Sequence, residues 1–282
     1  VIRVTKNNPC PVCGRGDWCL VAEDGSACIC ARVSEGAVKR AGDAGWLHKL
    51  TGETKRRIPK RKPEKPKPDV DFLELTKKSK GRLTLKRLQA LSDQLGVSEE
   101  SLRRLDMGWD GRNYTFPMRS GYDKIIGVRV RGKDKKWSVR GSASGLFWPA
   151  GVRVEASTET LWICEGPTDC AALLDLGFSA IGRPNCSGGT KDIIDLLTYA
   201  RKYGNVVNVI IMADKDPPKT RPDGSEWFPG QEGAMRLAKT IKLIVASVRV
   251  IKPPANKDIR DWYRTGATKE VVLAVAENSR FV

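Results

Sequence analysis

Histidine is almost missing from this chain of 282 residues: the single copy, His48, lies near the N-terminus, so the remainder must manage any proton transfer without imidazole. No run of about 18 to 20 uncharged apolar residues occurs, as a helical membrane span would need, and the basic, apolar and small-residue regions of a secretory leader are lacking. The expectation is a soluble protein of the cytoplasm, or of a host cell's cytoplasm if the chain is phage- or plasmid-encoded, with no membrane partner. The Gly-x-x-x-x-Gly-Lys-Ser/Thr phosphate loop is absent too, which excludes a motor built on that loop. Acidic residues are scarce: 33 stand against 50 Lys and Arg, for a formal charge of +17. That imbalance favours a polyanionic partner, and nucleic acid is the better choice where no membrane segment exists.

Five of the eight cysteines fall between residues 10 and 30, a distribution that suits one local metal site in a reducing compartment better than a disulfide framework. Cys164, Cys170 and Cys186 read as small buried residues. Cys10-Pro-Val-Cys13-Gly is the tight loop that lets two thiolates reach one tetrahedral ion. Residues 18–22 and 27–30 flank Asp24-Gly25 and predict a β-hairpin. The second ligand pair is less regular, because the spacing of Cys28 and Cys30 is short for a structural zinc site. The expected set is Cys10, Cys13, Cys30 and His48, with Cys19 or Cys28 as the alternate ligand. So small a segment has little core of its own and should need its metal to fold.

Residues 55–68 hold four prolines and eight basic residues in fourteen positions, the composition of a semi-extended, positively charged tether. Helical periodicity follows from Phe72 to about Leu105, with Gly96 as a stop signal and Ser98 as a cap. Residues 113–147 then predict short strands, and six basic residues against one acidic fall between Arg129 and Arg140. Arg119, Arg129, Arg131, Lys135, Lys136 and Arg140 are candidates for contact with nucleotide or DNA phosphates.

From Glu155 onward strands and helices alternate, and the continuous apolar run 206–213 predicts a strand of a parallel sheet covered on both faces. Leu161-Trp-Ile-Cys ends at Glu165-Gly166. Ala213-Asp214-Lys-Asp216 closes a second apolar strand 49 residues after Glu165. Carboxyl ends of parallel strands gather at one edge, so Glu165, Asp214 and Asp216, with Asp258 and Asp261 nearby, predict an acidic cluster that divalent metal would neutralise. The expected fold class is α/β: a parallel-sheet domain at 155–282, a mixed α+β basic lobe at 71–154, a basic Pro-rich linker at 55–70 and a zinc ribbon at 1–54.

Glu165-Gly166-x-x-Asp169 followed by Asp214-Lys-Asp216 and Lys257-Asp258 resembles a TOPRIM domain. With the Cys10-x-x-Cys13 ribbon and the basic region between, the order is similar to that of bacterial and bacteriophage zinc-binding DNA primases. The resemblance implies a DNA-directed RNA polymerase that makes short RNA primers on single-stranded DNA from ribonucleoside triphosphates. It implies structural Zn²⁺, and catalytic Mg²⁺ or Mn²⁺ on Glu165, Asp214 and Asp216, with Asp258 as a further catalytic carboxylate. A replicative helicase, if used, is a separate chain. The chain departs from the pattern at Val33, where a later cysteine is often found, and in a proline-rich insert at 217–229. The same carboxylates also serve TOPRIM nucleases, and a non-catalytic zinc-containing DNA-binding adaptor is the alternative from another class.

Overall fold

The computed structural model describes residues 1–50, 70–150, 152, 160–203, 208–221 and 223–282, so the tether expected at 55–70 and the boundary near 155 lie almost wholly outside the described residues. The chain divides into two compact units, Val1–Pro66 and Lys67–Val282.

The first unit is a five-stranded antiparallel sheet of very short strands. These are β1 (Ile2–Arg3), β2 (Leu20–Val21), β3 (Ala27–Cys30), β4 (Lys39–Arg40) and β5 (Trp46–Lys49), in the order β1-β2-β3-β5-β4. Along β3 the side chains alternate, so Cys28 and Cys30 share the buried face. Among the described residues Val4, Cys10, Cys19, Cys28 and Cys30 make up the fully buried core, with Val4 its one hydrocarbon side chain, and Val12, Val21, Val33 and Leu50 pack partly buried against it. Such a core gives too little apolar burial to hold a fold without a cross-link.

The second unit starts with three short helices, α1 (Phe72–Gly81), α2 (Leu85–Leu95) and α3 (Glu99–Arg104). Their ends follow local chemistry. Thr84 caps α2 by accepting from the Arg87 amide, Gly96 ends it in the left-handed conformation, and the Ser98 hydroxyl accepts from the Ser101 amide to start α3. The face Leu88, Leu91 and Leu95 of α2 is buried in one continuous core, α2 packs on α3, and α1 lies on the antiparallel sheet of β6 (Gly108–Trp109), β7 (Tyr114–Arg119), β8 (Ile125–Arg131) and β9 (Lys136–Ser138).

The parallel sheet carries β10 (Leu161–Glu165), α4 (Gly166–Asp175), β11 (Ser179–Arg183), α5 (Thr190–Lys202) and β12 (Asn208–Met212). A small hairpin, β13 (Lys219–Thr220) and β14 (Glu226–Trp227), occupies the proline-rich insert. After it come α6 (Pro229–Ile241), β15 (Ser247–Ile251), α7 (Ile259–Arg264) and α8 (Lys269–Glu277). The strand order is β11-β10-β12-β15, all parallel. Trp162 stacks on Phe178 with centroids 4.2 Å apart, and residues 161–164 and 209–213 of the predicted apolar runs are buried, as in a sheet covered on both faces. The chain runs from β10 to β11 on one side and returns to β12 on the other, so the β10/β12 boundary is a topological switch point, where open α/β sheets bind ligands.

Two residues join the sheets. Leu146 exchanges both backbone bonds with Arg119 of β7 at 2.7 Å, and Phe147 exchanges both with Gly182 of β11 at 2.8 and 2.9 Å. A second tie is polar: the Asp175 carboxylate accepts from the Ser98 amide at 2.7 Å and from the Ser98 and Ser101 hydroxyls at 2.5 Å. Ser101 is buried, so Asp175→Ala strands its hydroxyl and should lower stability by about 1–3 kcal/mol in urea unfolding. An unchanged urea midpoint would show that the tie carries no net energy.

Candidate metal and phosphate cleft

The β10/β12 switch point opens into a cleft of about 260 Å³ lined on one side by Glu165, Asp169, Asp214 and Asp258, and on another by Arg129, Arg131 and Lys136 from the β8–β9 hairpin. Each acid arrives there for a local reason. Glu165 ends β10, and the chain turns into α4 through Gly166, whose φ of +77° suits a residue without Cβ. Asp169 is four residues after Glu165 on the first turn of α4. Asp214 follows β12, and Gly230 at the start of α6 packs so close that a Cβ would lie 2.6 Å from its carbonyl oxygen. Asp258 caps α7, with its Oδ1 accepting from the Asp261 amide at 2.8 Å.

Asp216, half-buried, does not line the cleft; its Oδ1 lies 4.0 Å from Lys257 Nζ, and Lys257 does line it. Lys215 turns away, its Nζ donating to the Pro254 carbonyl at 2.7 Å. Asp261 is likewise outside the lining and pairs with Arg260 at 3.1 Å.

The acids oppose one another electrostatically. Burial, then the charges of Asp169, Glu165, Asp258 and Asp216, push Asp214 up to about 9. Burial, then Asp258, push Asp169 up to about 7, and burial raises Glu165 against the pull of Arg183. The buried Asp169 Oδ1 has no hydrogen-bond partner among the described residues. Crowded carboxylates with an orphan oxygen at a strand-end crevice fit a hard divalent cation, which takes oxygen ligands and relieves the repulsion.

The basic candidates divide. Arg129, Arg131 and Lys136 reach the cleft. Arg119 does not: it pairs with Asp106 at 2.5 Å and with Asp123 at 2.7 Å, which makes it a brace within the lobe and removes it as a phosphate contact. Lys135 and Arg140 are exposed outside the cleft lining, Lys135 lying over the Trp137 ring. Three contributors were not chosen from the sequence as site residues. Asp169 has a signal in its i, i+4 spacing from Glu165 at a strand-to-helix turn. Arg260 lines the cleft from α7, and Arg183 is buried on β11 beside Glu165 in register; nothing in a single arginine's sequence context marks either.

In the first unit Cys10, Cys13, Cys19 and Cys30 bring their sulfurs within 4.8 Å of one another. The Cys13–Cys19 and Cys19–Cys30 separations are 3.8 and 3.9 Å, close to the roughly 3.8 Å edge of a tetrahedron with 2.3 Å Zn–S bonds. The four-cysteine cluster fits a structural zinc site. It includes Cys19 and leaves out His48, a correction to the expected set. His48 sits opposite Cys28 in the β3–β5 pairing, and its Nε2 is 2.9 Å from the Val33 carbonyl, so the ring pins the 31–38 loop instead of turning to the sulfurs. Cys28 adjoins the group, 3.4 Å from Cys10, without belonging to it.

Comparison of the sequence with protein-family models and with curated proteins finds no match. Solved structures do match. The DnaG catalytic core is similar at 18% identity and TM-score 0.55, over 74% of this chain and 79% of that one. The DnaG primase catalytic domain bound to ssDNA matches at 16% identity and TM-score 0.55, over 74% and 78%. The E. coli primase catalytic core matches at 17% identity and TM-score 0.54, over 74% and 79%. Identity this low establishes the fold: a parallel-sheet α/β architecture of the TOPRIM kind, preceded by a helical and sheet lobe.

Two measurements test the sites. A carboxyl whose folded pKa lies above its unfolded value favours the folded state at low pH and loses that contribution as pH rises through the folded value. The metal-free protein should therefore lose thermal stability between about pH 4 and 9, and Mg²⁺ or Mn²⁺ should restore it most at the alkaline end. Asp214→Asn should flatten both responses; a pH-independent melting temperature in the metal-free wild type would refute the crowding. For the first unit, Cys19→Ser should lose bound zinc and His48→Ala should keep it, as read by a colorimetric zinc assay after protein denaturation; the reverse pattern would restore His48 as a ligand.

Proposed function

We propose that the chain is a DNA primase, a DNA-directed RNA polymerase that makes short RNA primers on single-stranded DNA by nucleotidyl transfer. The observation that carries this reading is the pairing, in one cleft, of a carboxylate wall from β10, α4, β12 and α7 with a cationic wall from β8 and β9. Nucleotidyl transfer needs both: acids to hold metal, and fixed cations for the triphosphate and template. The likeness of 74% of the chain to primase catalytic cores supports the same reading.

In this assignment Glu165, Asp169, Asp214 and Asp258, which line the cleft, would hold Mg²⁺ or Mn²⁺, and Asp216 stays outside the lining beside Lys257. Bound metal would lower the pKa of the primer 3′-hydroxyl and stabilise charge on the departing pyrophosphate. Arg131 and Lys136 bind phosphate oxygens, and Arg129 extends that wall towards the template. Burial and the nearby Arg260 disfavour the charge of Arg131 while Asp169 favours it, so an anion in the cleft would steady it further. Arg260 is steadied by Asp261 and Asp258 at 3.1 and 3.8 Å and faces the same space. Lys257 balances Asp216. As the 3′-oxygen bonds to the α-phosphorus, its proton passes to solvent and the bond to pyrophosphate breaks. The zinc module at 1–54, with Cys10, Cys13, Cys19 and Cys30 on the ion, precedes the lobe at 71–154 and the TOPRIM domain at 155–282 in the chain. Any replicative helicase is a separate partner, and the cytoplasm is the setting.

The test supplies four ribonucleotides, a mixed-sequence single-stranded DNA and Mg²⁺ or Mn²⁺. Wild type should yield short template-dependent RNA, and Asp214→Ala should lose it by on the order of a hundredfold or more. Cleavage of the DNA that depends on Asp214, without synthesis, would replace this reading with a nuclease; neither activity would favour a binding adaptor.

A further inference from the structure

Trp18 combines two costs that a fold normally avoids. Its φ is +62°, a left-handed conformation that is a true outlier for a bulky side chain, and its indole is 70% exposed. The Cys19 amide donates to the Asp17 carbonyl at 2.8 Å across it, closing a γ-turn of the rare positive-φ kind.

The neighbours enforce this conformation. Arg32 donates to the Asp17 carbonyl at 3.1 Å and to its carboxylate at 2.8 Å. On the other side the Cys19 carbonyl accepts from Val4 at 3.1 Å, and the Cys19 sulfur from the Ala31 amide at 3.3 Å. Residues 17 and 19 are both fixed, so residue 18 has no freedom to relax. If the turn served only to aim Cys19 at the cluster, glycine would do it without strain. The chain has glycine at 14 and 16, yet tryptophan at 18.

We propose that Trp18 is a stacking platform on which the cysteine module holds an unpaired base of single-stranded nucleic acid; the identity of the ligand rests on the nucleic-acid reading above. A tryptophan presented to a protein partner is usually set among apolar neighbours. Around Trp18 the chain is polar: Arg15 and Asp17 are exposed beside it, as is Arg32, which is paired with Asp17. The Thr5–Lys6 backbone is close enough to Gly16 that a Cβ there would lie 2.5 Å from the Lys6 nitrogen. A rigid, exposed π-face in a polar setting suits a nucleic-acid base, which stacks on it whatever its sequence.

The experiment measures binding of a labelled mixed-sequence single-stranded DNA to the zinc-loaded full chain by fluorescence anisotropy, alongside zinc content and melting temperature. Trp18→Ala and Trp18→Gly should weaken binding by about 5- to 100-fold, and Trp18→Phe should retain most of it. Trp18→Gly should keep its zinc and melt no lower than wild type, because glycine takes the left-handed turn without strain. Unchanged affinity in Trp18→Ala overturns the proposal, and so does loss of zinc or of stability in Trp18→Gly, which would make the indole a structural part. Primer synthesis by wild type with unchanged affinity in Trp18→Ala would sink only the stacking role. Trp18-dependent binding by a wild type that makes no primers would sink only the primase reading.

Discussion

The backbone pairing of Leu146 and Phe147 sets the geometry on which the cleft depends. One residue is bonded to the antiparallel lobe at Arg119 and the next to the parallel sheet at Gly182. Because the two pairings are adjacent in the chain, little slack exists between the sheets, and the basic hairpin of β8 and β9 is held across from the strand ends carrying Glu165 and Asp214. Side-chain ties such as Asp175 to Ser98 and Ser101 add to this restraint from the opposite end of α4. Preorganisation of charge is what such stiffness contributes: groups already in place need not reorganise around an anion in the cleft.

The carboxylate wall has the opposite character. Its members destabilise one another, and burial makes the repulsion worse, so the fold carries an electrostatic tension that a cation relieves. Arg183, Lys257 and Arg260 moderate that tension without removing it, as the unpartnered Asp169 oxygen shows. The cysteine module would use metal differently. There a four-sulfur cluster takes the place of a hydrocarbon core, and the ion would supply the cohesion that so few buried valines cannot.

The parallel sheet was legible in the sequence because its two central strands carry apolar runs, Leu161 to Cys164 and Val209 to Ala213, and because Glu165 and Asp214 follow directly on them. Asp258 was legible from its motif with Lys257. The limits have physical causes. His48 lies on β5 opposite Cys28, and strand register, which sends its ring to the Val33 carbonyl, cannot be read from cysteine and histidine spacing. Arg119 looked like its basic neighbours, yet Asp106 and Asp123 neutralise it, a pairing made by turns far from any periodic signal. Asp216 follows the strand with Asp214, but the cleft is lined by Asp214 alone of the two. Arg260 and Arg183 are ordinary in sequence and become informative only when the fold brings them beside carboxylates.

The acidic wall is drawn from residues 165, 169, 214 and 258, and the last of these is held by a helix that follows the edge strand β15. A growing polypeptide therefore carries no complete cation site while only β10 to β12 have left the ribosome. The strand pairings involved are parallel and distant along the chain, the slowest kind to form. Assembly of the charged wall is thus deferred until the hydrophobic sheet beneath it is largely closed, so the nascent chain does not have to tolerate the clustered charge before the packing that supports it exists.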